Sequence, residues 1–485
     1  MAGIGFRLRA LSTQDNLLAP MASIGHAAVI ATGPWLFTVT ALALISILTA
    51  EHASLSVIDG FRLVVIYAFA VSLICSAPII LVAGRLVGDA LYSRDVGQVR
   101  PLFVAAFVLS GAVSFAIGLL CHLAYGVPAA TAIPAASSCA VAGLVWVALA
   151  FCGAVRDYKG ITLGFLGGLA LAVIATVLAT RFNGGWTAMI WAFNAGLLMV
   201  LSALVSRVLA TFPQAVPDLS AALCTFASGL WRHLPLALAG LFGAIAIWID
   251  KWVMWTGPAG VRHELGLTHA PIYDSAIFTA QLTIIPALAL FVTNVETSFY
   301  VRYRAYYAAI RNHCTLSQIE AHAENLKRIT FADLGRTTFI QTALCLVVVL
   351  GAPTIVEATG LFFQQVGVLR LGALGALFQF LFFAATSLLL FFDRHGHFLT
   401  LQAVFLVLQG SFALATVDLG LAYYGLGYLA ACVICAALAL VVLERSMEDL
   451  TFITFCRPPR KPVLLRPALR RWRLPSLKPL ITKME

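Results

Sequence analysis

Four short runs decide how this chain is read: Ile247-Trp-Ile-Asp-Lys-Trp252, Tyr273-Asp-Ser275, Leu282-Thr-Ile-Ile-Pro286 and Val295-Glu-Thr-Ser-Phe-Tyr300. The first sits inside an apolar stretch and sets an acid, Asp250, beside a base, Lys251. An ionised group at the centre of a membrane helix costs about 2.5–3.5 kcal/mol on insertion scales, and groups kept at that cost face a wet cavity or a partner. A short polar turn follows, and then a second apolar segment that ends in Arg302, Arg304, Tyr306 and Tyr307. A charged pair at membrane depth between two apolar segments points to a transport path.

The rest of the sequence agrees. Of its 485 residues 61% are hydrophobic and 11% charged, against about 25% charged in water-soluble domains, and the mean hydropathy is +0.95. The apolar residues fall in blocks of about twenty, the length of a spanning helix. Strict alternation is missing, which excludes a β-barrel. The ten cysteines lie mostly within apolar spans, where they act as small hydrophobes. Cys432 and Cys435 form a C-x-x-C without charged or His neighbours, so no metal or redox role is expected.

Twelve spans are expected. Six, at about 26–50, 62–83, 102–123, 132–155, 160–180 and 185–210, form a first lobe over 26–210. A connector, 211–232, leads to a second lobe over 233–443, with spans at about 233–256, 271–296, 337–357, 366–392, 398–418 and 422–443. Residues 1–25 are read as an interfacial segment with Ile4, Leu8 and Leu11 on one face, not as a cleavable signal. The loop 301–336 is read as an amphipathic helix on the membrane surface, opened by a Thr315/Gln318 capping box and lined by Leu316, Ile319, Leu326 and Ile329. Residues 444–485 form a basic, Pro-rich tail. From Arg457 onward it holds nine Lys/Arg, one acid and six prolines, a composition suited to anionic lipid and, on a polytopic membrane protein, not to nucleic acid.

Charge fixes the orientation. If the N-terminus is cytoplasmic, the inner segments carry 26 of the Lys and Arg residues and the outer ones only Arg62, Arg181 and Arg262. That is a strong positive-inside bias, and it places both termini in the cytoplasm.

The ordered set of motifs resembles one family. Met1-Ala-Gly-Ile-Gly-Phe6, Gly33-Pro-Trp35, Ile249-Asp-Lys-Trp252, Tyr273-Asp-Ser275, Leu282-Thr-Ile-Ile-Pro286 and the Glu296–Tyr300 run together are similar to the PelG family of inner-membrane exporters of the Pel exopolysaccharide of biofilms. The resemblance covers Met1 to about Leu443, and the tail after Arg457 is longer than the family leads one to expect. It implies a flippase-like all-α fold, with two six-helix lobes around a central cavity. It also implies a substrate rich in N-acetylgalactosamine and galactosamine, and a complex with PelD, PelE and the glycosyltransferase PelF.

Candidate site residues follow from the topology. Asp250, Lys251, Asp274 and Arg370 all fall near the outer end of the second lobe and are expected to form a gate, Asp250 or Asp274 pairing with Arg370 or Lys251. Because i and i+1 side chains diverge on a helix, Asp250 and Lys251 are not expected to face one cavity together. Gln281, Gln341, Gln379, Gln409 and Asn194 offer amides, which donate to and accept from sugar hydroxyls and acetamido groups. Trp248 and Trp252, with Trp255, offer aromatic platforms. Glu296 marks the cytoplasmic mouth, and Gly33, Pro34 and Pro286 are hinge candidates. Spans 1–6 hold no acid at membrane depth, which disfavours a cation-coupled small-molecule antiporter. They hold no ring of bases either, which weakens the case for a flippase of lipid-linked, pyrophosphate-bearing oligosaccharide. No HExxH, Walker A or D-x-D motif occurs, so neither an enzyme nor a cofactor is expected. A scaffold subunit of a synthase is the remaining alternative.

Overall fold

The computed structural model describes Phe37 and residues 39–153, 158–216 and 218–456. The expected N-terminal segment, Gly33, Pro34 and the tail from Arg457 lie outside these residues.

The described chain is a helical bundle with 11 helical segments long and apolar enough to span a membrane. In order it comprises α1 (Val39–Thr49), the described part of span 1, then α2 (Leu55–Tyr92), α3 (Val99–Ala124), α4 (Ala129–Cys152), α5 (Tyr158–Arg181) and α6 (Gly185–Thr211). The connector holds α7 (Leu219–Arg232), N-capped by Asp218, whose carboxylate accepts from the Ser220 amide at 2.8 Å. The second half follows as α8 (Leu234–Thr256), a hairpin of β1 (Val261–Arg262) and β2 (Thr268–His269), α9 (Pro271–Gln281), α10 (Ile284–Asn294), α11 (Tyr300–Arg311), α12 (Leu316–Ala358), α13 (Val366–Phe391), α14 (His395–Val417), α15 (Leu426–Glu448) and α16 (Leu450–Cys456).

The two halves repeat one packing plan. In the first, α5 pairs with α6, α3 with α4, α2 with α4, and α4 with α6. Six spans later, α14 pairs with α15, α12 with α13, α9 with α13, and α13 with α15. Phe37 of span 1 meets Phe165 of α5 at 6.5 Å, just as α8 packs along α14. Two lobes with matched internal contacts are the outcome, joined chiefly where α2 lies against α8.

Small residues make that junction close. A Cβ at Gly240 would stand 2.9 Å from the Ala77 carbonyl oxygen of α2. The lobes also meet at both ends. At the end expected to face the cytoplasm, Arg85 of α2 donates to Asp393 at 2.9 Å, and His395 stands 3.2 Å from the same carboxylate.

Span 8 is not the single helix expected. It breaks at Leu282–Thr283, between α9 and α10, and widens into a π turn at Val295–Phe299. Pro286 supplies the cause of the break. It has no N–H to donate, and its ring excludes the Leu282 carbonyl from a regular turn.

The loop 301–336 also departs from expectation. Rather than a separate surface helix, α11 continues span 8, and α12 runs unbroken for 43 residues from Leu316 into span 9. The Thr315/Gln318 capping box forms. Ile319 and Leu326 are buried while Leu316 is exposed, because α11, α15 and α16 cover the apolar face that lipid was expected to cover. Glu320, Glu324, Glu448, Phe452 and Phe455 line a groove of about 660 Å³ beside it.

Candidate functional site

Helix α8 reaches its C-terminal end, the one expected to face outward, with Asp250, Lys251 and Trp255 all buried. A helical side chain leans toward the N-terminus of its own helix, and Lys251 follows that direction. Its ammonium donates to the Ile247 carbonyl at 3.1 Å and to both Asp250 oxygens at 3.2 and 3.1 Å. Adjacent residues that diverge at Cβ thus converge at their charged ends, which corrects the expectation that they would point apart. The expected Asp250–Arg370 pairing is likewise replaced. Arg370 is exposed and donates to the Val349 carbonyl at 3.0 Å, and among the described residues no ion pair joins it to either aspartate.

Helix α9 closes the cluster from the side. Tyr273, fully buried, donates its hydroxyl to Asp250 Oδ2 at 2.8 Å. Asp274 Oδ2 accepts from Trp255 Nε1 at 2.8 Å and from the Ala270 amide at 3.0 Å. Deeper, Tyr428 of α15 donates to Gln379 Oε1 at 2.6 Å and also hydrogen-bonds Gln281 at the end of α9. Beside the break in span 8, Gln341 Nε2 donates to Thr283 Oγ1 at 3.3 Å. The break therefore carries polar side chains on three neighbouring helices. In membranes, irregular backbone survives only where protein buries it or where it lines a water-filled cavity.

The other candidates lie elsewhere. Asn194 is buried in the first lobe, where it accepts from Ser138 at 2.6 Å and donates to the Pro134 carbonyl at 3.0 Å, so it ties α6 to α4. Gln409 is buried on α14, next to Gly410, which approaches Ile249 of α8. Among the described residues its amide oxygen has no partner. Trp248 and Trp252 are partly buried against the core, with the Lys251 ammonium 6.0 Å from the Trp248 ring centre. Glu296 is buried in the π turn, away from the outer cluster.

Sequence reasoning passed over Tyr428, Tyr67 and the hairpin. The hairpin bridges the lobes. Tyr67 of α2 donates to the Thr268 carbonyl at 2.7 Å, His263 Nε2 lies 3.0 Å from the Ser56 carbonyl oxygen, and Leu265 and Leu267 are buried. The Tyr67 ring stacks on Trp255 at 4.9 Å. A buried tyrosine hydroxyl needs a partner, and that was the available signal for Tyr67 and Tyr428. Nothing in a two-residue strand announced the hairpin.

Comparison with known proteins fits these features. Residues 1–455 match the model of PelG, described as "Putative exopolysaccharide Exporter (EPS-E)". The chain belongs to the PelG family. None of the curated proteins compared matches it. Among solved structures, a MATE protein in the straight conformation aligns with a TM-score of 0.62 at 16% identity, over 88% of this chain and 96% of that one. An outward-facing multidrug resistance MATE transporter of the MOP superfamily gives 0.59 at 16%, over 88% and 96%. An inward-facing one gives 0.56 at 16%, over 92% and 99%. At these identities the likeness concerns the fold, which is that of a multi-pass membrane transporter.

Proposed function

We propose that this protein exports a polysaccharide of Pel type, rich in N-acetylgalactosamine and galactosamine, from cytoplasm to periplasm between its two lobes. The observation that carries the reading is the interrupted span 8, whose break at Leu282–Thr283 is flanked by Gln281, Gln341 and, through Tyr428, Gln379. Broken helices near the midplane mark substrate sites in transporters built from repeats, and amides suit a largely neutral sugar chain. Gln379 accepts from Tyr428 and Gln341 donates to Thr283, all within the second lobe, and the substrate is proposed to exchange for these contacts as it passes. The positive-inside bias supports an inner-membrane setting with both termini cytoplasmic. PelD, PelE and PelF are the proposed partners, with PelF supplying the polymer.

The test replaces Gln281 and Gln379 with Leu, singly and together. Polymer outside the cells, measured with a lectin for N-acetylgalactosamine, is expected to fall several-fold. Polymer inside should rise, while the amount of protein in the membrane stays constant. Unchanged export in both singles and in the double sinks the polar route.

A further inference from the structure

We infer that Asp274 is a proton-binding site whose occupancy is tied to closure of the outer junction between the lobes. The inference deepens the transporter reading above and takes its purpose from it, but its evidence is separate.

The cluster holds one buried carboxylate, Asp250, a half-buried one, Asp274, whose Oδ1 is itself buried, and one ammonium. Asp250 is satisfied, since Lys251 neutralises it and Tyr273 donates a third bond. Asp274 is the surplus acid. Its Oδ2 accepts two N–H groups, whereas its Oδ1 is buried and has no partner among the described residues. A charged oxygen in that position is costly, and a proton on Oδ1 removes the charge without disturbing either bond to Oδ2.

The surroundings offer no other neutralising group. From α8, Lys251 and Asp250 act on Asp274 in opposite senses. From α9, the N-terminal turn favours the anion modestly, while Tyr273 is committed to Asp250. Gln365 is spent on Pro271, Ile272 and Ser275, Tyr428 of α15 on Gln379, and Arg370 of α13 on Val349. His269, on the adjoining strand, is held toward its neutral form by burial. No group of three or more His, Cys, Asp or Glu able to hold a metal ion occurs among the described residues, which favours a proton over a larger cation.

The link to the junction is Trp255. Its indole N–H serves Asp274 in the second lobe, and its ring stacks on Tyr67 of the first, whose hydroxyl holds the hairpin at Thr268. Separation of the lobes breaks that stack and admits outer water to Asp274, where an ordinary aspartate, with a pKa of about 3.9, is ionised. The closed form therefore binds one more proton than the open form. The proton comes from the outer aqueous phase, joins Oδ1 and returns there on opening, and no other bond changes. By linkage, the open-to-closed ratio grows about tenfold per pH unit between the ordinary aspartate value and the midpoint of the closed form, and levels off above that midpoint.

Two measurements on purified protein in lipid nanodiscs test this, and neither needs export. Infrared difference spectra should show a carboxylic-acid carbonyl band that vanishes as pH rises and is missing in Asp274→Asn. Hydrogen exchange of the hairpin amides at residues 261–269, corrected for intrinsic rate, taken relative to Asp274→Asn and followed below the midpoint at which the carboxylic-acid band vanishes, should accelerate about tenfold per pH unit. Asp274→Asn itself should keep only the acid-side loosening that His269 causes. Trp255→Phe should keep the band and lose the pH dependence of the hairpin. A band that persists in Asp274→Asn, or an unchanged pH dependence there, overturns the inference. Protection restored by sodium at constant pH also overturns it, in favour of a metal cation. A failed titration leaves polysaccharide export standing, and a failed export assay leaves the titration standing.

Discussion

Replacing Lys251 with Met separates the pairing seen in the structure from the one the sequence suggested. Lys251 Nζ stands 3.1 Å from an Asp250 carboxylate that is 0% exposed. At an effective dielectric constant of about 20, two unit charges at that distance attract by about 5 kcal/mol. Desolvation offsets much of that in the intact pair, yet removing one partner strands the other, and such changes cost about 3–5 kcal/mol. Lys251→Met should therefore destabilise the protein by about 3–5 kcal/mol. Asp250→Asn combined with Lys251→Met removes the stranded charge and keeps an acceptor for Tyr273, and should recover most of the loss. The assay is reversible unfolding of detergent-solubilised protein by graded addition of a denaturing detergent, followed by loss of helical circular dichroism. If the double variant is no more stable than Lys251→Met, the reasoning about the buried pair is wrong. The exchange of Asp250→Arg with Arg370→Asp, by contrast, should rescue nothing, because Arg370 is turned to Val349.

Two further predictions concern the hairpin. Gly266 has φ +84°, and a Cβ there would stand 2.2 Å from the Tyr125 carbonyl oxygen. Gly266→Ala should undock the hairpin, read as faster proteolysis and amide exchange at residues 261–269. Gly420→Ala, at φ +94° with nothing within 4 Å, should show only the conformational cost of about 1–2 kcal/mol. Burial lowers the His269 pKa, partly opposed by Asp59, so docking favours the neutral imidazole. Its contribution is complete above the ordinary value of about 6.5 and is lost as pH falls from there through the docked value. His269→Gln should abolish this acid-side loosening of the hairpin, measured by the same exchange.

The sequence by itself determined the class of molecule, most of the spans and the residues expensive enough to matter. Block length and hydropathy are properties of a segment facing lipid, and lysine and arginine counts are properties of loops facing water, so neither needs the fold. Asp250, Lys251 and Asp274 stood out for the same reason, since an ion at membrane depth is costly wherever its neighbours are. Pro286 stood out as a hinge candidate because a missing N–H is local chemistry, but the break it causes in span 8 was not expected from the sequence.

Only the tertiary structure decided which partner each costly group takes. Asp250 takes the Lys251 ammonium instead of reaching Arg370, a choice made by side-chain direction and by what α9 and α13 place nearby. The amides divided in the same way, Asn194 tying α6 to α4 in the first lobe while Gln281 and Gln379 meet at Tyr428 in the second. The hairpin and the Tyr67–Trp255 stack join residues nearly two hundred positions apart. Contacts of that range depend on how two lobes settle against each other, and no local pattern of hydropathy or charge encodes that arrangement.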